Sequence, residues 1–200
     1  MSGRKTNAER QAAFKPARRA ILIQLLSAVG VIAIGASAWL FAPPGTFVLS
    51  CAFGWTLLAL AVVDLKRYIL PDPLNLLVAL LGVVMVALTR PHAWLEHLIG
   101  GVAGFTVLLS VELYYRHFKG RNGLGRGDAK LLGAIGIWVG WTRLPDILII
   151  AALSGLIAVL TVAMASRKAI DGGQPIAFGP WLALAGWIAW LSGPILVSAV

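Results

Sequence analysis

The chain has 200 residues, of which 59% are hydrophobic and 12% charged, with a formal net charge of +9 and a mean hydropathy of +0.86. A soluble globular domain carries roughly 25% charged residues, so the composition excludes an ordinary soluble fold and points to a bilayer. The positive balance does not indicate a nucleic-acid partner, because the basic residues sit in short segments between apolar runs, where a multi-pass protein records its orientation.

In chain order, residues 1–19 form a basic N-terminal arm, with Arg4, Lys5, Arg10, Lys15, Arg18 and Arg19 against Glu9 alone. They read as a disordered cytoplasmic arm that fixes topology and touches anionic lipid. Residues 20–200 read as one transmembrane domain without an internal repeat. The stretch from Ala20 to Ala42 is long enough to cross the ~30 Å hydrocarbon core. Ala36-Ser37-Ala38 resembles a signal-peptide cleavage site, yet the later topology is the same with or without cleavage. Six further apolar segments run from about Phe47 to Val63, Leu74 to Thr89, Leu95 to Tyr115, Leu131 to Trp141, Ile147 to Ala165 and Ile176 to Val200. The single cysteine, Cys51, lies in the first of these. It reads as a small buried hydrophobe, and alone it builds neither a disulfide framework nor a four-cysteine zinc site.

The expected fold is therefore all-α: a polytopic transmembrane helix bundle of about seven spans, N-terminus inside and C-terminus outside. Fifteen of the 17 lysines and arginines then lie on inner segments, leaving Arg90 and Arg143 outside, a bias that fits this orientation. Trp94, Trp138, Trp141, Trp181, Trp187 and Trp190 read in part as interfacial anchors.

Two aspartates stand out. Asp64 closes the run Leu57 to Val63, and Asp128 opens the run Leu131 to Trp141; the topology puts both at the inner face. That second run is too short, since about eleven residues reach only about 16 Å. Either its helix starts further back, taking Asp128 to Lys130 below the headgroups, or the span is broken. Gly123, Gly125 and Gly127 suit a non-helical approach shielded by neighbouring helices. Both options place Asp128 at membrane depth and at a helix N-terminus. In the loop after Asp64, Asp72 followed by Pro73 reads as a helix start, with an acceptor at the N-cap and proline at N1; a supporting role in a site is the alternative.

A carboxylate at the edge of hydrocarbon is expensive and calls for a partner, and each aspartate supplies the other's. Two carboxylates sharing one proton can activate water and protonate a peptide carbonyl or leaving amine. Helix ends favour the anion at Asp128 and the acid at Asp64, although in a coupled pair the titration belongs to both. Glu112, near the inner end of the fourth segment, is expected to reach water by leaning outward. Lys66, Arg67, Arg126 and Lys130 crowd the site and read chiefly as positive-inside markers. His92 and His97 fall outside and His117 inside, which builds no metal site. A proton-coupled transporter or a structural subunit of a secretion or pilus machine is the alternative, but transporter carboxylates usually lie near the bilayer midplane.

Three stretches carry a family resemblance. Val63-Asp64, then Leu70-Pro71-Asp72 and Leu74, resemble the first catalytic motif of the type IV prepilin peptidases. Gly125-Arg126-Gly127-Asp128-Ala129-Lys130-Leu131-Leu132, followed by Gly133-Ala134-Ile135-Gly136 and Trp138, resembles their GxGD motif. Gln174-Pro175-Ile176-Ala177-Phe178-Gly179-Pro180 with Leu182-Ala183 resembles their closing segment. The resemblance covers roughly residues 55 to 195. It implies an intramembrane aspartyl endopeptidase of the bacterial inner membrane, with Asp64 and Asp128 as the catalytic pair. Gly125, Gly127, Lys130, Pro71, Asp72, Pro175, Phe178, Gly179 and Pro180 are then supporting or substrate-binding residues. No metal and no cofactor is implied.

The implied partners are a prepilin or pseudopilin substrate and membrane lipid, with the oligomeric state open. Such enzymes remove a short basic leader at the cytoplasmic face, after a glycine and before a hydrophobic helix. Glycine helps there by unwinding a helix whose carbonyls are already hydrogen-bonded. Many members also carry a cytoplasmic domain with paired Cys-x-x-Cys motifs, linked to N-methylation. With Cys51 alone, the expectation here is a peptidase without a zinc site and without methyl transfer, in a short form similar to members that serve Flp-type pili.

Overall fold

Hydrocarbon offers no water to backbone N–H and C=O groups, so long apolar runs close their hydrogen bonds within helices. The computed structural model describes residues 7–119, 125–166 and 177–192, and these contain helices and no strand. The helices are α1 (Asn7–Phe41), α2 (Phe47–Arg67), α3 (Asp72–Thr89), α4 (Trp94–Lys119), α5 (Arg126–Val139), α6 (Leu144–Ser166) and α7 (Gly179–Ser192). Single 3₁₀ turns, Pro91–Ala93 and Trp141–Arg143, lead into α4 and α6.

Five helical stretches are long and apolar enough to cross a membrane: Ile23–Phe41, Phe47–Arg67, Asp72–Thr89, Pro91–Phe118 and Trp141–Thr161. Their outward faces are hydrocarbon; Ile32, Val48, Leu88 and Met164 are each more than 70% exposed. So much uncovered apolar surface is tolerated where lipid covers it, and the protein is a multi-pass membrane protein. Among the described residues, α5 and α7 are not among these five. Each has 14 described residues, about 21 Å at 1.5 Å per residue, and both are packed inside the bundle. α5 lies against α4, α3 and α7, while α7 lies against α6, α2 and α5. The fifth segment's helix thus begins further back, at Arg126. Residues 193–200 of the last apolar segment lie outside the described residues.

The arm read as disordered is helical from Asn7 onward and runs straight into the first span. Its Ala, Glu, Gln, Lys and Arg residues are strong helix formers, which the reading from charge alone left out. Cys51 is buried within α2.

An aromatic stack holds the middle of the bundle. Phe53 lies 4.1 Å from Trp138, centroid to centroid, in a stacked pair, and Trp190 meets Trp138 edge-on at 5.2 Å. Trp138 Nε1 donates to the Val78 carbonyl at 2.8 Å, and Trp190 Nε1 donates to Ser50 Oγ at 2.9 Å. These two tryptophans are core residues and not interfacial anchors, because each indole N–H finds a buried acceptor. Trp94 and Trp141 are half exposed near the opposite end from the aspartates, where an anchor belongs.

α5 reaches its depth through glycine. A Cβ on Gly136 would strike the Gly100 carbonyl oxygen, and one on Gly104 would lie 2.7 Å from the Leu132 carbonyl oxygen. Such a small-residue seam lets two backbones touch in a membrane. His97, in the first turn of α4 at the end away from the aspartates, is buried, and its Nδ1 donates to the Ile137 carbonyl at 2.8 Å.

Candidate active site

Asp64 occupies the last turn of α2. The helix stops one turn later because Tyr68 takes the left-handed conformation (φ 55°) and returns its N–H to the Asp64 carbonyl at 2.8 Å, a common helix ending. The side chain is buried, 5% exposed. The amide of Gly179, first residue of α7, donates to Asp64 Oδ2 at 3.1 Å. An α-helix leaves its first N–H groups unpaired, so the start of α7 serves as an anion cradle for this carboxylate. Only glycine fits there: a Cβ at position 179 would stand 2.7 Å from Asp64 Oδ2. Phe178 and Pro180 flank this amide. The Phe178 carbonyl accepts from the Trp181 and Leu182 amides, while Pro180 sits where a helix has no use for an N–H.

Asp128 lies in the first turn of α5 and is 7% exposed. Its N–H donates to the Gly125 carbonyl at 3.0 Å, and its Oδ2 accepts from Gly125 N at 3.2 Å. This reciprocal pair closes the helix start. Gly127 brings the loop against Leu70, since a Cβ there would stand 2.8 Å from Leu70 Cβ. Leu70 and Pro71 form the extended link into α3.

Asp64 and Asp128 line one cleft of about 280 Å³ with Tyr68, Ile69, Leu70, Asp72, Gly125, Arg126, Gly127 and Lys130. Burial and the facing charge of Asp64 both act on Asp128. Two carboxylates so placed cannot both ionise cheaply, and one proton between them relieves the repulsion. Helix ends alone do not tell them apart, because Gly179 gives Asp64 the same kind of N-terminal donor that Asp128 has in Gly125.

Two ion pairs frame the cleft. Asp72 is the first residue of α3 and makes no side-chain cap. Its Oδ1 instead accepts from Lys130 Nζ at 2.7 Å, joining α3 to α5. Glu112 does not lean out to water. It is buried, 3% exposed, and its Oε1 accepts from Arg126 Nε at 3.2 Å. A buried carboxylate at that depth needs a cation, and Arg126 of the glycine-rich loop is within reach. Sequence reasoning missed this pairing, for which the one signal was an acid set in an otherwise apolar helix. Pro175 and Gly123 lie outside the described residues.

Comparison with known proteins bears on this arrangement. Residues 51–160 match the type IV leader peptidase family. The chain is 36% identical over 172 residues to a prepilin leader peptidase/N-methyltransferase of Aeromonas hydrophila, covering 86% of this chain and 58% of that protein. It is 39% identical over 168 residues to the protein of that name from Dickeya chrysanthemi, covering 82% and 56%. With the Pseudomonas aeruginosa protein it shares 39% identity over 139 residues, or 70% and 47%. The chain thus spans about half the length of these relatives. No solved structure matches it.

Proposed function

Because the chain belongs to the type IV leader peptidase family, we propose that it is an intramembrane aspartyl endopeptidase that removes the basic leader of prepilins or pseudopilins at the cytoplasmic face of the bacterial inner membrane. The observation that carries the reading is the meeting of Asp64 and Asp128, distant in sequence and both buried, in one cleft. The orientation is supported by Lys66, Arg67, Arg116, Arg126 and Lys130, which stand at the same end of the bundle as the aspartates, while Arg90 and Arg143 stand at the other. That is the inner-face signature.

In this reading the pair shares one proton. The charged carboxylate takes a proton from a water as its oxygen bonds to the scissile carbonyl carbon. The protonated partner gives its proton to the carbonyl oxygen, leaving a neutral tetrahedral diol. On collapse, the carboxyl that gained the water's proton passes it to the departing nitrogen, the C–N bond breaks, and the diol returns a proton to the pair. Gly179 N–H and Gly125 N–H hold the two carboxylates in place through the cycle. Lys130 and Asp72 stand at the rim, where the extended peptide enters. Peptide cleavage is the activity proposed.

Co-expression with a prepilin tests it. A shortened product that vanishes in Asp64→Ala and in Asp128→Ala is expected, and an uncut prepilin beside the wild-type chain would overturn the reading.

A further inference from the structure

A second, larger cavity of about 590 Å³ runs beside the aspartate cleft, between α3, α4 and α5. Its walls include Leu76, Ala79, Gly101, Phe105, Gly133 and Ile137. Asp72 and Lys130 line both cavities, so the two meet across that ion pair. α3 and α4 touch little along their lengths, which leaves the groove open toward lipid between them.

One side chain in this groove is out of place. Asn75, one turn into α3, lines the groove and is 4% exposed. Neither its amide oxygen nor its amide nitrogen has a hydrogen-bond partner. Buried polar atoms are almost always paired, and an orphan calls for an explanation. A side-chain amide carries an acceptor oxygen beside a donor NH2, so one face of it can pair with the N–H and C=O of a single peptide unit. Peptide units within hydrocarbon are satisfied inside a helix until that helix is unwound, and a bond must be unwound before a protease can reach it.

We propose that this groove seats the apolar, membrane-embedded segment of the substrate, and that Asn75 holds the peptide unit freed where that segment unwinds beside the bond to be cut. Leu76, Ala79, Phe105 and Ile137 give that segment apolar walls, and the shared rim delivers its unwound end to Asp64 and Asp128. The inference rests on the leader-peptidase reading and adds to it the subsite for the substrate's apolar part. Asn75 acts by positioning, and the chemistry stays with the aspartates.

The test uses the full chain in lipid nanodiscs with a prepilin substrate and with a short peptide that ends just after the cut site. For Asn75→Leu, the expected result is a melting temperature no lower than wild type, because an unpaired buried amide is gone. Its kcat/KM is expected to fall at least tenfold on the full substrate and to change much less on the short peptide. A photo-cross-linker at Leu76 in the Asp128→Asn background should capture the substrate's apolar segment, while one at Leu156, on the exposed face of α6, should not. The cross-link reads the groove even where a variant at position 75 fails to fold. Asn75→Leu with undiminished kcat/KM, or equal capture from Leu156, would overturn the assignment while cleavage by the wild type keeps the peptidase reading intact. A wild-type chain that cuts nothing overturns both.

Discussion

The Gly179 amide donates to Asp64 Oδ2 at 3.1 Å across 115 residues of sequence, tying the start of α7 to the end of α2. A residue with no side chain thereby fixes the position of a buried acid. Gly179→Ala would place a methyl carbon 2.7 Å from that oxygen and push the carboxylate away. A displacement of about 1 Å at a reacting group costs about 100-fold in rate. We expect leader cleavage to fall by about that factor with only a small change in melting temperature; unchanged cleavage would show that this contact does not position Asp64.

The pair formed by Glu112 and Arg126 has unequal members, with side chains 4% and 64% exposed. Removing the exposed arginine strands a buried charge, whereas neutralising the glutamate leaves an arginine that water can solvate. Arg126→Ala should therefore destabilise by about 1–3 kcal/mol, and Glu112→Gln by less than about 1 kcal/mol. Thermal melts check the order, and Glu112→Gln should recover part of the loss in the Arg126→Ala background.

The Lys130–Asp72 pair is exposed on both sides, and such pairs contribute about 0–1 kcal/mol and weaken with salt. Asp72→Asn and Lys130→Met should each leave the melting temperature nearly unchanged. Cleavage is the sensitive readout, because the pair stands on the rim shared by both cavities. A large loss of stability in either variant would contradict this.

The glycine seam between α4 and α5 seats Asp128. In Gly136→Val the added carbons meet the Gly100 backbone, which cannot yield without separating the helices. Loss of the folded protein, or of at least about 3 kcal/mol of stability, is expected; the yield of monodisperse protein in detergent measures it. A well-folded Gly136→Val variant would mean that α5 is seated by other contacts.

How much of this was legible in the sequence follows from what each residue needed. Asp64 and Asp128 were visible because a charge at the edge of an apolar run is rare, and the glycine-rich loop marked a helix start that the structure places at Arg126. Asp72 was placed at the right helix end, but of its two readings the cap was the one local chemistry made readable, and a lysine arriving from α5 was not. The tryptophans were read in part as anchors because tryptophan is enriched at membrane interfaces, while the acceptors that hold Trp138 and Trp190 inside come from Val78 and Ser50. Asn75 carried no signal at all. An amide at a helix start is ordinary, and only tertiary packing leaves it buried and unpaired.

The central claim is that Asp64 and Asp128 work as one acid–base unit. The most direct test measures prepilin cleavage by the purified chain with Asp64→Asn and with Asp128→Asn, which keep the shape of each side chain and remove its proton exchange. The account predicts that each variant alone loses at least about 100-fold in kcat and that the double variant is hardly worse than either. Full activity in either single variant would contradict it.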